Sequence, residues 1–327
     1  MRVAVTGATG HVGGNLVRAL LARGDQVRVL VRSEPTGLDG LDVEVVTGDV
    51  TRPETLQALF DGMEGAFHLA ALISITGSQG GRVEQVNVDG AGAAAQAALA
   101  AGVRRYVHFS SVHAFDHDPY DAPLDETRAR PGPHHPAYDR SKSAGEAQVR
   151  DAASQGLEAV IVNPTGILGP ADVRPSRMGQ VFLDLYHRKL PALLDGGFDW
   201  VDVRDVVAGA LGALDRGTPG EGYLLSGHWC TLHELAEVAA ACTGVPAPRL
   251  TSPMWLARVG APFMTVFNKL TGMEPLYTSE ALHALRSNRD VRHDKAAREL
   301  GYRARPLEET VADLYAWFGA QGRLEPR

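Results

Sequence analysis

The chain has 327 residues, 44% of them hydrophobic, and a net charge of −7. That is enough for a sizeable core in one large or two modest domains, and the wrong sign for nucleic acid as the main partner. Its two cysteines, Cys230 and Cys242, form neither a disulfide framework nor a metal-ligand cluster, so no metal is expected and a reducing cytoplasm suits them. No apolar run reaches the roughly 18 residues of an integral membrane segment. The N-terminus enters a strand with no basic region and no signal core.

The first 165 residues alternate strand and helix. Arg2–Thr6 reads as a first strand and runs into Gly7-Ala8-Thr9-Gly10-His11-Val12-Gly13, after which Val12, Leu16, Ala19 and Leu20 recur at helical spacing. Further strands are expected over 26–32, 43–47, 65–70, 103–110 and 158–163. An alanine-rich helix is expected over 82–101 and another over 137–155. Such alternation requires crossover connections, hence an α/β fold with a doubly wound parallel Rossmann sheet. After Pro164 the pattern loosens, broken by Gly169-Pro170, Pro175, Pro191 and Gly196-Gly197. Residues 200–214 read as strand then helix, and helices are expected over 231–242, 253–270, 279–285, 293–300 and 307–320. We therefore expect a dinucleotide-binding domain from 1–164 plus about 199–216. A smaller, mostly helical substrate domain would come from about 165–198 and 217–325. Ligands of open parallel sheets lie at the carboxyl ends of the strands, where that second domain would close.

The chemistry lies at those strand ends. Gly7 permits a tight turn, Gly10 lets backbone approach a pyrophosphate, and Gly13 allows close helix–strand packing. Thr9, His11 and Val12 share the turn with the helix N-terminus, whose free N–H groups attract phosphate. Strand two ends in Val31-Arg32-Ser33 where NAD-binding chains carry an acid. The Arg32 guanidinium suits the 2′-phosphate of NADP, although neighbouring Glu34 keeps NAD open. Asp49, followed by Val50, stands where a carboxylate accepts from an adenine amino group. Tyr138 and Lys142 are four residues apart and share a helix face. A nearby ammonium is expected to lower the phenol's pKa, so that it exchanges a proton with a carbonyl or alcohol near neutral pH. Ser111, at the end of the fifth strand, would hold the same oxygen while the nicotinamide moves the hydride.

The matching pieces are Gly7-x-x-Gly10-x-x-Gly13, Gly48-Asp49-Val50, His68-Leu69-Ala70-Ala71, Asn87-Val88-Asp89-Gly90, Phe109-Ser110-Ser111, Tyr138-x-x-x-Lys142, the run Asn163 to Pro170, and Val201 to Val206. Together they resemble the extended short-chain dehydrogenase/reductase family over nearly the whole chain. Within that family the chain resembles the dihydroflavonol-4-reductase-like and hopanoid-associated sugar epimerase members. The resemblance implies a Ser111, Tyr138, Lys142 triad. It puts Leu69, Ala70 and Ala71 against the cofactor ribose, Pro164 and Ile167 near the nicotinamide amide, and Asn87 behind Lys142. It also implies a homodimer through the 82–101 and 138–154 helices. Val112-His113 replaces the acidic pair of the family's sugar dehydratases, which argues against dehydration. His113, Asn87 and Thr165 are candidate substrate contacts.

The leading expectation is an NADP(H)-dependent oxidoreductase that interconverts a ketone and a secondary alcohol on a small-molecule substrate, apolar or polyol-like. The alternatives are a nucleotide-sugar 4-epimerase with tightly held NAD, and a non-catalytic dinucleotide-binding sensor. The apolar stretch Met254–Leu270 reads as a helix over an apolar pocket, with a membrane-surface contact as the other reading.

Overall fold

Val3, Ala4 and Val5 are fully buried, because a strand covered on both faces must be apolar at every position rather than at alternate ones. They form β1 (Arg2–Thr6) at the heart of a computed structural model that describes residues 1–252, 280, 285 and 287–325. Around it stand β2 (Gln26–Val31), β3 (Val43–Thr47), β4 (Gly65–His68), β5 (Arg105–Phe109) and β6 (Glu158–Pro164). With the strand Gly222–Leu225 they make a seven-stranded sheet in the order β3-β2-β1-β4-β5-β6 and then 222–225. Every neighbouring pair is parallel. The order reverses between β1 and β4, which opens the crevice where such sheets bind ligands. The expected doubly wound Rossmann sheet is borne out.

Three features differ from the sequence reading. The expected continuous helix over 82–101 is α3 (Arg82–Glu84), a π-helical turn Gln85–Asp89 and then α4 (Gly90–Ala100); such a turn often marks a functional site. The strand Gly222–Leu225 lies beyond the expected Rossmann segments and still pairs with β6. The strand Gly197–Asp202 lies in a separate three-stranded sheet, between Gly166–Leu168 and His228–Thr231. The expected helices over 253–270 and 279–285 lie outside the described residues, apart from Glu280 and Leu285.

Helices α1 (His11–Ala22) and α7 (Val203–Arg216) cover one face of the sheet. The opposite face carries α2 (Pro53–Phe60), α4 and α5 (Ala137–Ser154). Ala91, Ala94, Ala95 and Ala98 of α4 are buried within the chain itself. A second core around Phe182, Phe198, Trp200, Leu314 and Phe318 supports the smaller sheet. Asp202 caps α7 by accepting from the Arg204 amide at 2.7 Å, and its carboxylate is also held by the Arg204 guanidinium at 2.7 Å.

Gly13 is the tightest point of the dinucleotide turn. A Cβ there would collide with the Gly7 carbonyl and the Ala8 Cα, both backbone and unable to yield. Gly13→Ala is expected to destabilise the fold by about 1–3 kcal/mol, the usual cost of overpacking. Urea unfolding measures this; an unchanged midpoint would show that the turn is looser than described.

Candidate active site

The turn after β1 is built to leave donors open. Gly7 has φ +71°, which a side chain strains, and its own Cβ would meet the Leu69–Ala70 backbone. No side chain caps α1 and no acidic residue stands in its first turn. The initial amides, at His11 and Val12, therefore keep free N–H groups for an anion. A cavity of about 230 Å³ opens there, walled by Thr9, Gly10, His11, Arg18, Thr36 and Arg174 among others. His11 Nε2 lies 3.0 Å from the Pro170 carbonyl, tying the turn to the far side of the crevice. This cradle fits a dinucleotide pyrophosphate.

Arg32, just past β2, is exposed and has no hydrogen-bond or ion-pair partner among the described residues. Asp49 accepts from the amide and hydroxyl of Thr51 at 2.9 and 2.8 Å. Burial works against its charge, but those bonds and then the charge of Arg32 hold it below the ordinary carboxylate value. Val50 is buried beneath this loop. The backbone after β4 is pinned by Thr6, whose hydroxyl accepts from the Leu69 and Ala70 amides at 3.1 and 3.2 Å. Ala71 follows and is exposed. Thr6 had no signal in the sequence, since only the sheet brings it beside residue 69. Pro164 ends β6, and Ile167 packs on the core beside α1 and α7.

Ser111, Tyr138 and Lys142 come together at the carboxyl end of β5. Helix α5 puts Tyr138 and Lys142 on one face, and Lys142 Nζ donates to the Phe109 carbonyl at 2.8 Å. Burial lowers the lysine to about 8, against the raising effect of Glu146. Contrary to the expected depression, Tyr138 is pushed up to about 12. Burial is the cause, a hydrogen bond with Ser111 opposes it, and Asp139 adds to it. The ammonium is engaged by a carbonyl rather than by the phenol, so burial prevails.

His113 joins the group. Its ring packs edge-on against Tyr138 and stacks on Phe198, with centroids 5.8 Å apart in both cases. Its Nδ1 lies 3.3 Å from Asp139 Oδ1 without hydrogen-bond alignment. The other two candidate substrate contacts turn inward. Asn87, in the π-helical turn, donates to the Leu72 carbonyl at 3.0 Å and to Ser141 Oγ at 2.9 Å, clamping α5 to the loop after β4. Thr165 donates to Asp199 Oδ1 at 2.6 Å. The residues over 254–270 expected to cover the pocket lie outside the described set.

The chain belongs to the NAD dependent epimerase/dehydratase family, whose match spans residues 3–226. The resemblance to extended short-chain dehydrogenases/reductases is thereby borne out. "Sterol demethylase protein B" of Methylococcus capsulatus is 38% identical across 99% of this chain and 100% of its own length. A Synechocystis protein provisionally named as a dihydroflavonol 4-reductase is 34% identical across 98% of this chain and 95% of its own. The crystal structure of gox2253 superposes with a TM-score of 0.85, at 34% identity, covering 99% of both chains. The fold and the family are shared; the substrates of these proteins are their own.

The buried ammonium has a thermodynamic signature. Lys142 takes up its proton at about 8 when folded and at an ordinary 10.5 when unfolded. Between those values the unfolded chain binds one more proton, so stability rises with pH across that window and is lost as pH falls to 8. Comparison with Lys142→Met isolates this effect. From pH 8 to pH 10.5 the wild type is expected to gain about 3 kcal/mol relative to the variant, from 1.36 kcal/mol per unit. Urea unfolding across that range is the check; a pH-independent difference would contradict the buried ammonium.

Proposed function

We propose that the protein is an NADP(H)-dependent reductase of a ketone on a bulky, largely apolar skeleton. The observation that carries this is the convergence of Ser111, Tyr138 and Lys142 at the carboxyl end of β5, with the Tyr138 phenol hydrogen-bonded to Ser111 and Lys142 held by the Phe109 carbonyl. Reduction of a carbonyl consumes a proton, and a phenol still protonated at pH 7 is the right starting acid. Arg32, exposed just past β2 and without a hydrogen-bond or ion-pair partner among the described residues, supports the 2′-phosphate of NADP. The turn at Gly7, Gly10 and Gly13, with Thr9, His11 and Val12, would hold the pyrophosphate. Asp49 and Val50 would meet the adenine, and Leu69, Ala70, Ala71, Pro164 and Ile167 the rest of the dinucleotide.

The nicotinamide, when bound, supplies a hydride to the carbonyl carbon. Ser111 donates a hydrogen bond to the carbonyl oxygen and so fixes its direction. Tyr138 gives its phenolic proton to that oxygen and is left as a phenolate, which the Lys142 ammonium stabilises. The product is a secondary alcohol. His113 and Phe198 supply an aromatic wall beside the reacting carbon, suited to an apolar ring system. The sterol and flavonoid names of the two relatives are in keeping with it. The family's name keeps one other reading, a nucleotide-sugar 4-epimerase, which would purify with NAD and consume no NADPH. A homodimer through the outer faces of α4 and α5 belongs to the same proposal.

Tyr138→Phe is expected to cut turnover by about 10² to 10⁴, as loss of a general acid does, with NADPH affinity nearly unchanged. Steady-state rates and a fluorescence titration measure both. Near-normal turnover would overturn the catalytic assignment. NADPH should bind more tightly than NADH; a preference of about tenfold for NADH, or about 1.4 kcal/mol, would remove the role of Arg32.

A further inference from the structure

Glu146 is unused by the chemistry above, yet it is fully buried. It stands one turn beyond Lys142 on α5 and so on the same helix face. One of its oxygens accepts from Asn163 Nδ2 at 2.6 Å, and the same Nδ2 donates to the Ser111 carbonyl at 3.0 Å. The other oxygen accepts from Arg150 at 2.8 Å and pairs with Arg130 at 3.0 Å. Arg130 in turn donates to the Ala114 carbonyl at 3.1 Å, and its guanidinium lies 4.2 Å over the Phe115 ring. One carboxylate thus grips both ends of the turn from Ser111 to Ala114. Inside that turn Ser111 Oγ accepts from the His113 amide at 3.2 Å, which helps to orient the hydroxyl.

We propose that Glu146 is a positioning residue for the reduction: it locks the Ser111 turn against the helix that carries Tyr138 and Lys142, and supplies the negative charge that Lys142 faces. The inference rests on the reading of Ser111, Tyr138 and Lys142 given above. Five groups besides Glu146 bear on this charge. Arg130 and Arg150 are its cationic partners, and Asp139 adds a second carboxylate on the same helix. His68, on β4, is driven down to about 3 by burial and then by Lys142. His108, on β5, is lowered by the same two causes. Both histidines are therefore neutral and leave Glu146 as the charge that favours the ammonium. Buried ion networks are frequently no more stable than apolar packing of the same volume. Stability alone therefore does not explain a carboxylate here.

The test is the pH profile of kcat for ketone reduction in Glu146→Gln. Glutamine keeps an oxygen for Asn163 but removes the charge. The alkaline limb, where Lys142 loses its proton, should move down by about one pH unit, with kcat at pH 8 about fivefold lower and KM within about twofold. A purely structural role would lower stability without moving that limb. Asn163→Leu is the second variant, since it breaks the bridge to Ser111 and leaves every charge in place. It should lower kcat about tenfold at all pH values with the limb unmoved. An unmoved limb and unchanged kcat in Glu146→Gln, with Tyr138→Phe inactive, would overturn this inference and leave the active-site reading intact. If Glu146→Gln fails to fold, kcat within about twofold in Asn163→Leu overturns it instead. An active Tyr138→Phe would overturn the active-site reading and this inference with it.

Discussion

The hydrogen bond from Lys142 Nζ to the Phe109 carbonyl, at 2.8 Å, ties the helix that carries Tyr138 and Lys142 to the end of β5. An ammonium taken out of water must find an acceptor or give up its proton. Here the acceptor is the last carbonyl of β5. Fixing that contact fixes the rest. Ser111 lies two residues past Phe109, and Tyr138 lies one helical turn before Lys142. The serine and tyrosine therefore converge on one point at the carboxyl edge of the sheet. The dinucleotide turn after β1 faces the same edge, because β4 and β5 follow β1 in the sheet order. The energetic cost of burying the lysine is local and tolerated; the fold around it is an ordinary parallel sheet with apolar strands.

Much of this was legible in the sequence, because it rests on local rules. Strands such as Arg2–Thr6 are short apolar runs, the Gly7 to Gly13 spacing encodes a turn before a helix, and a four-residue separation encodes a shared helix face. What was not legible depends on distant segments meeting. The π-helical turn at Gln85–Asp89 has no local signature; it accompanies the engagement of Asn87 by Leu72 and Ser141. The pairing of Gly222–Leu225 with β6 needs the whole intervening chain to return to the sheet. The pKa of Tyr138 was read from its sequence neighbour, whereas burial governs it. Glu146 did carry a signal, four residues beyond Lys142 on the same face. Its partners Arg130 and Asn163 lie 16 and 17 positions away in opposite directions, so the network itself had none.

The two sides of the site differ in how much chemistry constrains them. The cofactor side is backbone: glycine conformations, open helix amides and a hydroxyl from Thr6 that fixes the loop at Leu69. Few sequences satisfy those demands. The proposed substrate side is made of side chains such as His113 and Phe198, which stack on each other.

The central claim is that Tyr138 protonates a ketone while a hydride arrives from NADPH. The most direct measurement follows NADPH deuterated at the transferring position, incubated with the enzyme and a set of apolar cyclic ketones, with products analysed by mass spectrometry. The account predicts a secondary alcohol with one deuterium on the carbinol carbon for each NADPH oxidised. Enzyme that purifies with bound NAD, oxidises no NADPH and returns unlabelled sugar isomers would contradict it.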